Sequence, residues 1–143
     1  MTAIYEVTMF NSPARAIEAW PNEPRRRVAA ALAKSPSLMS LRDIEKGIRA
    51  GSATLWDVRD AAGKSVGSFV TEVVLGGVGA AVNILALGGT KMKAWIGLFS
   101  DAVASYAARM GCVYVVEMGR PGWTKVLSPL GWVPGPSVML KVV

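Results

Sequence analysis

Histidine, the side chain most often used as a general base near neutral pH, does not occur in this chain. Its absence excludes Ser-His-Asp and Cys-His relays and any zinc site that needs a histidine ligand. Acid–base work is left to carboxylates, tyrosine, lysine, cysteine or water. The single cysteine, Cys112, can form no intramolecular disulfide. It stands in "RMGCVYVV", at the mouth of an apolar strand, where a buried structural thiol is expected rather than a nucleophile. A reducing compartment is the simplest setting for such a chain. Sixteen Lys and Arg oppose ten Asp and Glu, a net charge of +6. That balance serves solubility or an acidic partner: nucleic acid, anionic lipid or a phosphate-bearing cofactor. The densest run, Arg25-Arg26-Arg27, reads as a solvated helix start, and the other basic residues are too dispersed for a nucleic-acid stripe.

The elements that must position these groups follow from spacing. At 143 residues the chain is one domain. Residues 1–51 hold a strand and a helical part, and residues 52–143 hold the rest. Being 52% hydrophobic and 18% charged, it is apolar for a soluble domain, so some apolar surface is expected to serve a partner or an assembly. A strand is predicted over residues 3–9. Helices follow with Ser12 as N-cap and Pro13 at the first position, then over "EPRRRVAAALAKS", then over "SLRDIEKGIRAG" with Ser40 and Asp43 as a capping box and Gly51 as C-cap.

Extended segments over 53–60, 66–75 and 80–89 form an antiparallel meander. Val73 to Thr90 runs eighteen residues without a charge, but five glycines and Asn83 punctuate it as strand, turn, strand rather than a membrane span. Met92 to Met110 carries an apolar stripe of helical period, with Met92, Trp95, Ile96, Phe99, Val103, Tyr106, Ala107 and Met110 on one face. Lys93, Ser100, Asp101, Ser105 and Arg109 take the other face. A buried strand over 112–119, a short helix opened by Pro121 and stopped at Ser128-Pro129, and a strand over 136–143 complete the order. Trp123, Leu127 and Leu130 share the inner face of that short helix. A strand–helix–strand unit behind a meander makes an α/β (α+β) domain with a mixed, mostly antiparallel sheet flanked by helices.

From about Ser52 to Val143 this order resembles the GNAT acyltransferase superfamily. "DVRDAAGKSVGSFVTEV" is similar to the family's hairpin and "AVNILALGG" to its central strand. "TKMKAWIGLFSDAVASYAARMGCVYVVEMG" is similar to the cofactor-loop helix and the next strand, and "TKVLSPLGW" to the short helix ending in Leu-Gly-Phe. The resemblance implies an acyl-CoA pyrophosphate held by backbone N–H groups in a loop of the pattern Arg/Gln-x-x-Gly-x-Gly/Ala. Here that place reads "KMKAWIG". Gly97 matches, Ala94 or Trp95 takes the first glycine's place, and Lys91 or Met92 stands for Arg/Gln. Gly88 and Gly89, with Lys91 and Lys93, could instead build a variant cradle, or could end the strand with the lysines in solvent. The family's leaving-group donor is a tyrosine of the short helix; its position is held by Leu127, which has no proton to give. The family's usual base is a strand glutamate, a role open to Glu72 or Glu117 if burial raises its pKa; either could equally face water.

Two functions follow. The chain resembles degenerate family members of the kind encoded by tailed bacteriophages, which implies a non-catalytic module that binds protein or itself in a virion or its assembly, cytoplasmic or virion-associated, with no cofactor. The alternative is an acyl-CoA-dependent N-acetyltransferase with water-mediated base catalysis, using acetyl-CoA and a donor such as Tyr106, Tyr114 or solvent. A nucleic-acid role rests on net charge alone. No membrane or metal role is expected.

Overall fold

The computed structural model describes residues 4–34, 39–76, 79–118, 123–134 and 138–143. Their order is β1 (Glu6–Met9), α1 (Pro13–Ala19), α2 (Glu23–Ala33), α3 (Leu41–Ala50), β2 (Ala53–Arg59), β3 (Ser65–Gly76), β4 (Gly79–Gly89), α4 (Met92–Arg109), β5 (Tyr114–Met118), α5 (Trp123–Leu127), β6 (Val133–Pro134) and β7 (Val138–Val142). Among the described residues the sheet has seven strands, in the order β1-β2-β3-β4-β5-β7-β6. Only the β4–β5 pair among the described residues is parallel; the others are antiparallel. The mixed, mostly antiparallel sheet expected from the sequence is therefore present. The uncharged stretch from Val73 is the β3–β4 hairpin, and among the described residues no helix is long and apolar enough to cross a membrane.

Local chemistry sets the helix ends. The Ser12 side chain accepts a hydrogen bond from the Arg15 amide at 3.2 Å. Ser40 Oγ accepts from the Asp43 amide at 3.1 Å while Asp43 Oδ2 accepts from the Ser40 amide at 3.2 Å, the reciprocal capping box. Gly51 ends α3 at φ 82°, a left-handed conformation that costs a glycine little.

Strand alternation sends side chains to two cores. On one face α4 and α5 cover Trp56, Val58, Phe69, Val82, Ile84 and Val115, with Trp95, Phe99, Leu127 and Trp132. On the other, α1–α3 cover Leu55, Val70 and Ala86 with Trp20, Val28, Ile44 and Ile48. The alternation breaks once in β4. Val70 pairs with Ala86 but Thr71 pairs with Ile84, so Leu85 is an extra residue. Leu85 and Ala86 both face α1–α3, while Ile84 and Leu87 face α4.

Several sequence expectations need correction. The first strand starts at Glu6, after Ile4 and Tyr5. The strand after α4 starts at Tyr114, because the Cys112 amide still bonds the Ala107 carbonyl at the helix end. Cys112 itself is buried, as expected. Met110 is half exposed as the C-cap residue rather than part of the buried stripe. Ser100, assigned to the polar face, is buried and accepts a hydrogen bond from Trp132 Nε1 at 2.9 Å. The Arg25-Arg26-Arg27 run is not uniformly solvated, since Arg27 lies against the sheet with its side chain 12% exposed. After α5 ends at Leu127 the chain continues as a 3-10 turn, Ser128–Leu130, closed by Gly131 at φ 88°. β6, unforeseen in the sequence, then pairs with β7. Pro121 and the Trp123 side chain lie outside the described residues.

Candidate functional site

β4 and β5 are hydrogen-bonded neighbours from Ala81–Tyr114 to Ile84–Glu117. Beyond that point β4 runs on to Gly89 with no β5 partner among the described residues. Among the described residues the pairing ends beside the Leu85 bulge. Glu117 stands at the end of this described pairing. It is 6% exposed, is registered with Ile84 and follows Val115 by two residues, so it faces the α4 side. Glu72 faces the other way. It follows Val70 by two residues and lines a cavity of about 320 Å³ under α3 with Asp43, Lys46 and Leu85. Its Oε1 accepts from Asn83 Nδ2 at 3.4 Å, while Asn83 Oδ1 is buried with no partner among the described residues. The two candidate bases thus lie on opposite faces of one sheet, and the fold does not bring them together.

The glycines of the candidate cradle have packing reasons. A Cβ at Gly88 would lie 3.0 Å from the Arg27 carbonyl oxygen, where α2 presses on β4. Gly89 has φ 153°, and a Cβ there would lie 2.4 Å from the Val66 carbonyl oxygen. The space freed at these positions is taken by α2 and β3, so it does not fit a phosphate approaching the backbone. Gly97 is different, because the nearest atom to a Cβ there is Leu130 Cδ2 at 4.0 Å. Trp95 does not enter a cradle either. It is wholly buried, packs against Gly67 and Gly89, and donates its Nε1–H to the Thr90 carbonyl at 2.8 Å. Lys91, Lys93 and Ala94 are exposed; Lys91 takes a left-handed conformation at φ 54°, and no side chain caps α4. Leu127 is fully buried in the α4-side core.

One polar group escaped the sequence reading. Arg27 Nη1 donates to Ser65 Oγ at 2.7 Å and Ser68 Oγ at 3.1 Å, and Nη2 donates to the Ser65 carbonyl at 2.9 Å. Ser65 Oγ in turn donates to Asp57 Oδ1 at 2.6 Å, and Arg59 Nε donates to Asp57 Oδ2 at 2.6 Å. Burial pulls the Arg27 pKa below its ordinary value, and the charges of Glu23 and Asp57 partly offset this. The only sequence signal was the arginine run itself; its serine partners lie about forty residues away.

No protein-family model matches the chain, and no curated protein matches it. Solved structures do. An N-acetyltransferase from Staphylococcus aureus Mu50 superposes with a TM-score of 0.67 at 9% identity over 97% of both chains. A GCN5-related N-acetyltransferase from Ralstonia eutropha JMP134 gives 0.64 at 15% identity, over 94% of this chain and 95% of that one. FeeM, an N-acyl amino acid synthase from uncultured soil microbes, gives 0.66 at 14% identity, over 99% of this chain and 92% of that one. The chain therefore has the fold of the GNAT acetyltransferases. Likeness at this level of identity concerns the fold; the chemistry must be argued from the site.

Proposed function

We propose that this protein is a GNAT-fold binding module, acting on a protein partner or on further copies of itself, and not by acyl transfer. The observation that carries this reading is Leu127. The position that the resemblance assigns to the leaving-group donor holds a leucine with no exposed surface. The packing roles of Gly88 and Gly89 support the same reading. Leu75, Val142 and Val133, at 89%, 70% and 53% exposure, leave apolar surface for a partner. A virion or virion-assembly setting belongs to this proposal and rests on the sequence resemblance to phage-encoded chains. Calorimetric titration with acetyl-CoA, together with a thiol-release assay over a panel of amines, tests it. Neither heat of binding nor thiol release is expected. Micromolar binding with turnover would overturn it.

The burial of Glu117 at the end of the described β4–β5 pairing favours a second reading, an N-acetyltransferase. Glu117 would hold a water that takes the amine's proton, with solvent protonating the leaving thiolate. Acetyl-CoA would supply the acyl group. Turnover lost in Glu117→Gln but kept in Glu72→Gln would support this reading, because the two carboxylates face opposite sides.

A further inference from the structure

β3 outgrows its neighbour. Its pairing with β2 begins at Ala53↔Glu72, while its pairing with β4 runs on to Gly76↔Gly79. Along Val73–Gly76 one edge of β3 therefore has no strand beside it among the described residues, and its backbone N–H and C=O groups on that side are open to pairing. We propose that this edge is a self-association site, where β3 of a second copy of this chain pairs with it antiparallel across a two-fold axis. The inference deepens the binding-module reading by naming the partner, and it rests on that reading in taking the exposed apolar surface as an interface.

The residues that are free fix the register. Directly opposed residues of antiparallel strands point to the same face, so a two-fold axis must pass through a residue position and not between two. An axis at Val74 would set Gly76 against Glu72, whose place is already taken by Ala53. An axis at Leu75 uses free residues alone. Leu75 then meets its own counterpart, and Val74 meets Gly76, which has no side chain to collide with it.

Side-chain chemistry favours a second copy over another occupant. Natural edges are kept from pairing by lysine, proline or a bulge, and Val73–Gly76 holds none of these. Leu75, almost fully exposed, begins an apolar row across the α4 face of the sheet. It pairs with Ala80, whose carbonyl accepts from the Val113 amide, and the Val113 carbonyl accepts from the Val143 amide. The side chains of Val113 and Val143 are exposed as well. The chain carries a net charge of +6, yet no side chain of β3 beyond Glu72, of β4 or of this row is charged. A charged partner finds no counter-charge here, whereas an identical segment meets it without repulsion. Three residues on each side of the axis keep the two Glu72 carboxylates about 20 Å apart along the strands. So short an edge and one apolar row are small against the roughly 1,200–2,000 Å² buried in stable complexes. The dimer is therefore weak, forming between micromolar and millimolar concentration.

Sedimentation equilibrium of the purified chain, from micromolar to millimolar concentration, should show monomer exchanging with dimer. Leu75→Lys sets like charges against each other at the axis and should weaken the dimer about tenfold or more. Leu98→Lys, which replaces an exposed leucine on α4, should leave it unchanged. Leu75→Cys should give a disulfide-linked dimer when diamide oxidises the paired thiols, because opposed Cα atoms lie about 4.5–5.5 Å apart, within disulfide reach. Leu98→Cys should link far more slowly, and the parent not at all, since its Cys112 is buried. Circular dichroism checks that each variant is folded. A monomer at every concentration, a dimer indifferent to Leu75→Lys, open-ended oligomers in place of a closed dimer, or equal crosslinking in Leu75→Cys and Leu98→Cys overturns the inference. Acetyl-CoA binding with turnover by the same preparation overturns the binding-module reading alone, and the response of the dimer to Leu75→Lys still decides this one.

Discussion

At Leu127 and Trp132 a few atoms decide between chemistry and packing. Trp132 is 2% exposed, stacks on Phe99 at a centroid distance of 6.5 Å and donates to Ser100. Trp132→Ala should cost ~3–5 kcal/mol, read as a lower melting temperature, and an unchanged value would refute the assignment of this residue to the core. Leu127→Tyr adds a phenol where no surface is free. It should destabilise by about 1–3 kcal/mol and give no thiol release. A variant as stable as the parent would reveal room for the missing donor. Asp43 makes a prediction in pH. Hydrogen bonding with Ser40 holds its carboxyl below the ordinary aspartate value. The capping box is thus fully formed above about pH 4, the ordinary range, and is lost as pH falls through the lower folded-state value. The protection of the Ser40 amide, its exchange rate compared with that of an unprotected amide at the same pH, should fall over that acid window, and Asp43→Asn should remove that fall.

Between elements, the contact of β3 with α4 turns on a missing side chain. A Cβ at Gly67 would sit 2.7 Å from Trp95 Cζ2. Gly67→Ala should therefore destabilise by about 1–3 kcal/mol. Trp95→Phe removes the ring atoms in conflict, so the double variant should be less destabilised than the sum of the two singles. Additive effects in urea unfolding would show that the two residues do not meet. The helices and strands themselves were legible, because 3.6- and 2-residue periods are properties of the local backbone. Arg27 and Ser100 were misplaced for the opposite reason. Arg27 is buried by serines on β3, and Ser100 by Trp132. Neither partner lies within the helical window that defines a polar face.

Across the molecule, one sheet separates two cores, so neither helical layer has a sheet of its own. Trp20 reports the α1–α3 layer and Trp95 and Trp132 report the α4 layer. Unfolding should be a single transition, with far-ultraviolet dichroism and tryptophan fluorescence coincident in both the parent and Trp20→Phe. Separate midpoints would mean that the α1–α3 layer detaches first.

The sequence by itself determined the element order apart from β6, the mixed sheet, the buried thiol and the exclusion of histidine chemistry. These depend on composition, on capping residues and on periods of a few residues. The tertiary structure alone decided that Glu72 and Glu117 face opposite sides, that Leu85 bulges out of register with β3, and that α2 brings its cations to the end of β4. A glycine reads the same in sequence whether a phosphate or a neighbouring backbone needs its space. At Gly88 and Gly89 the neighbours are Arg27 and Val66, brought close only when the sheet and its helices close on each other.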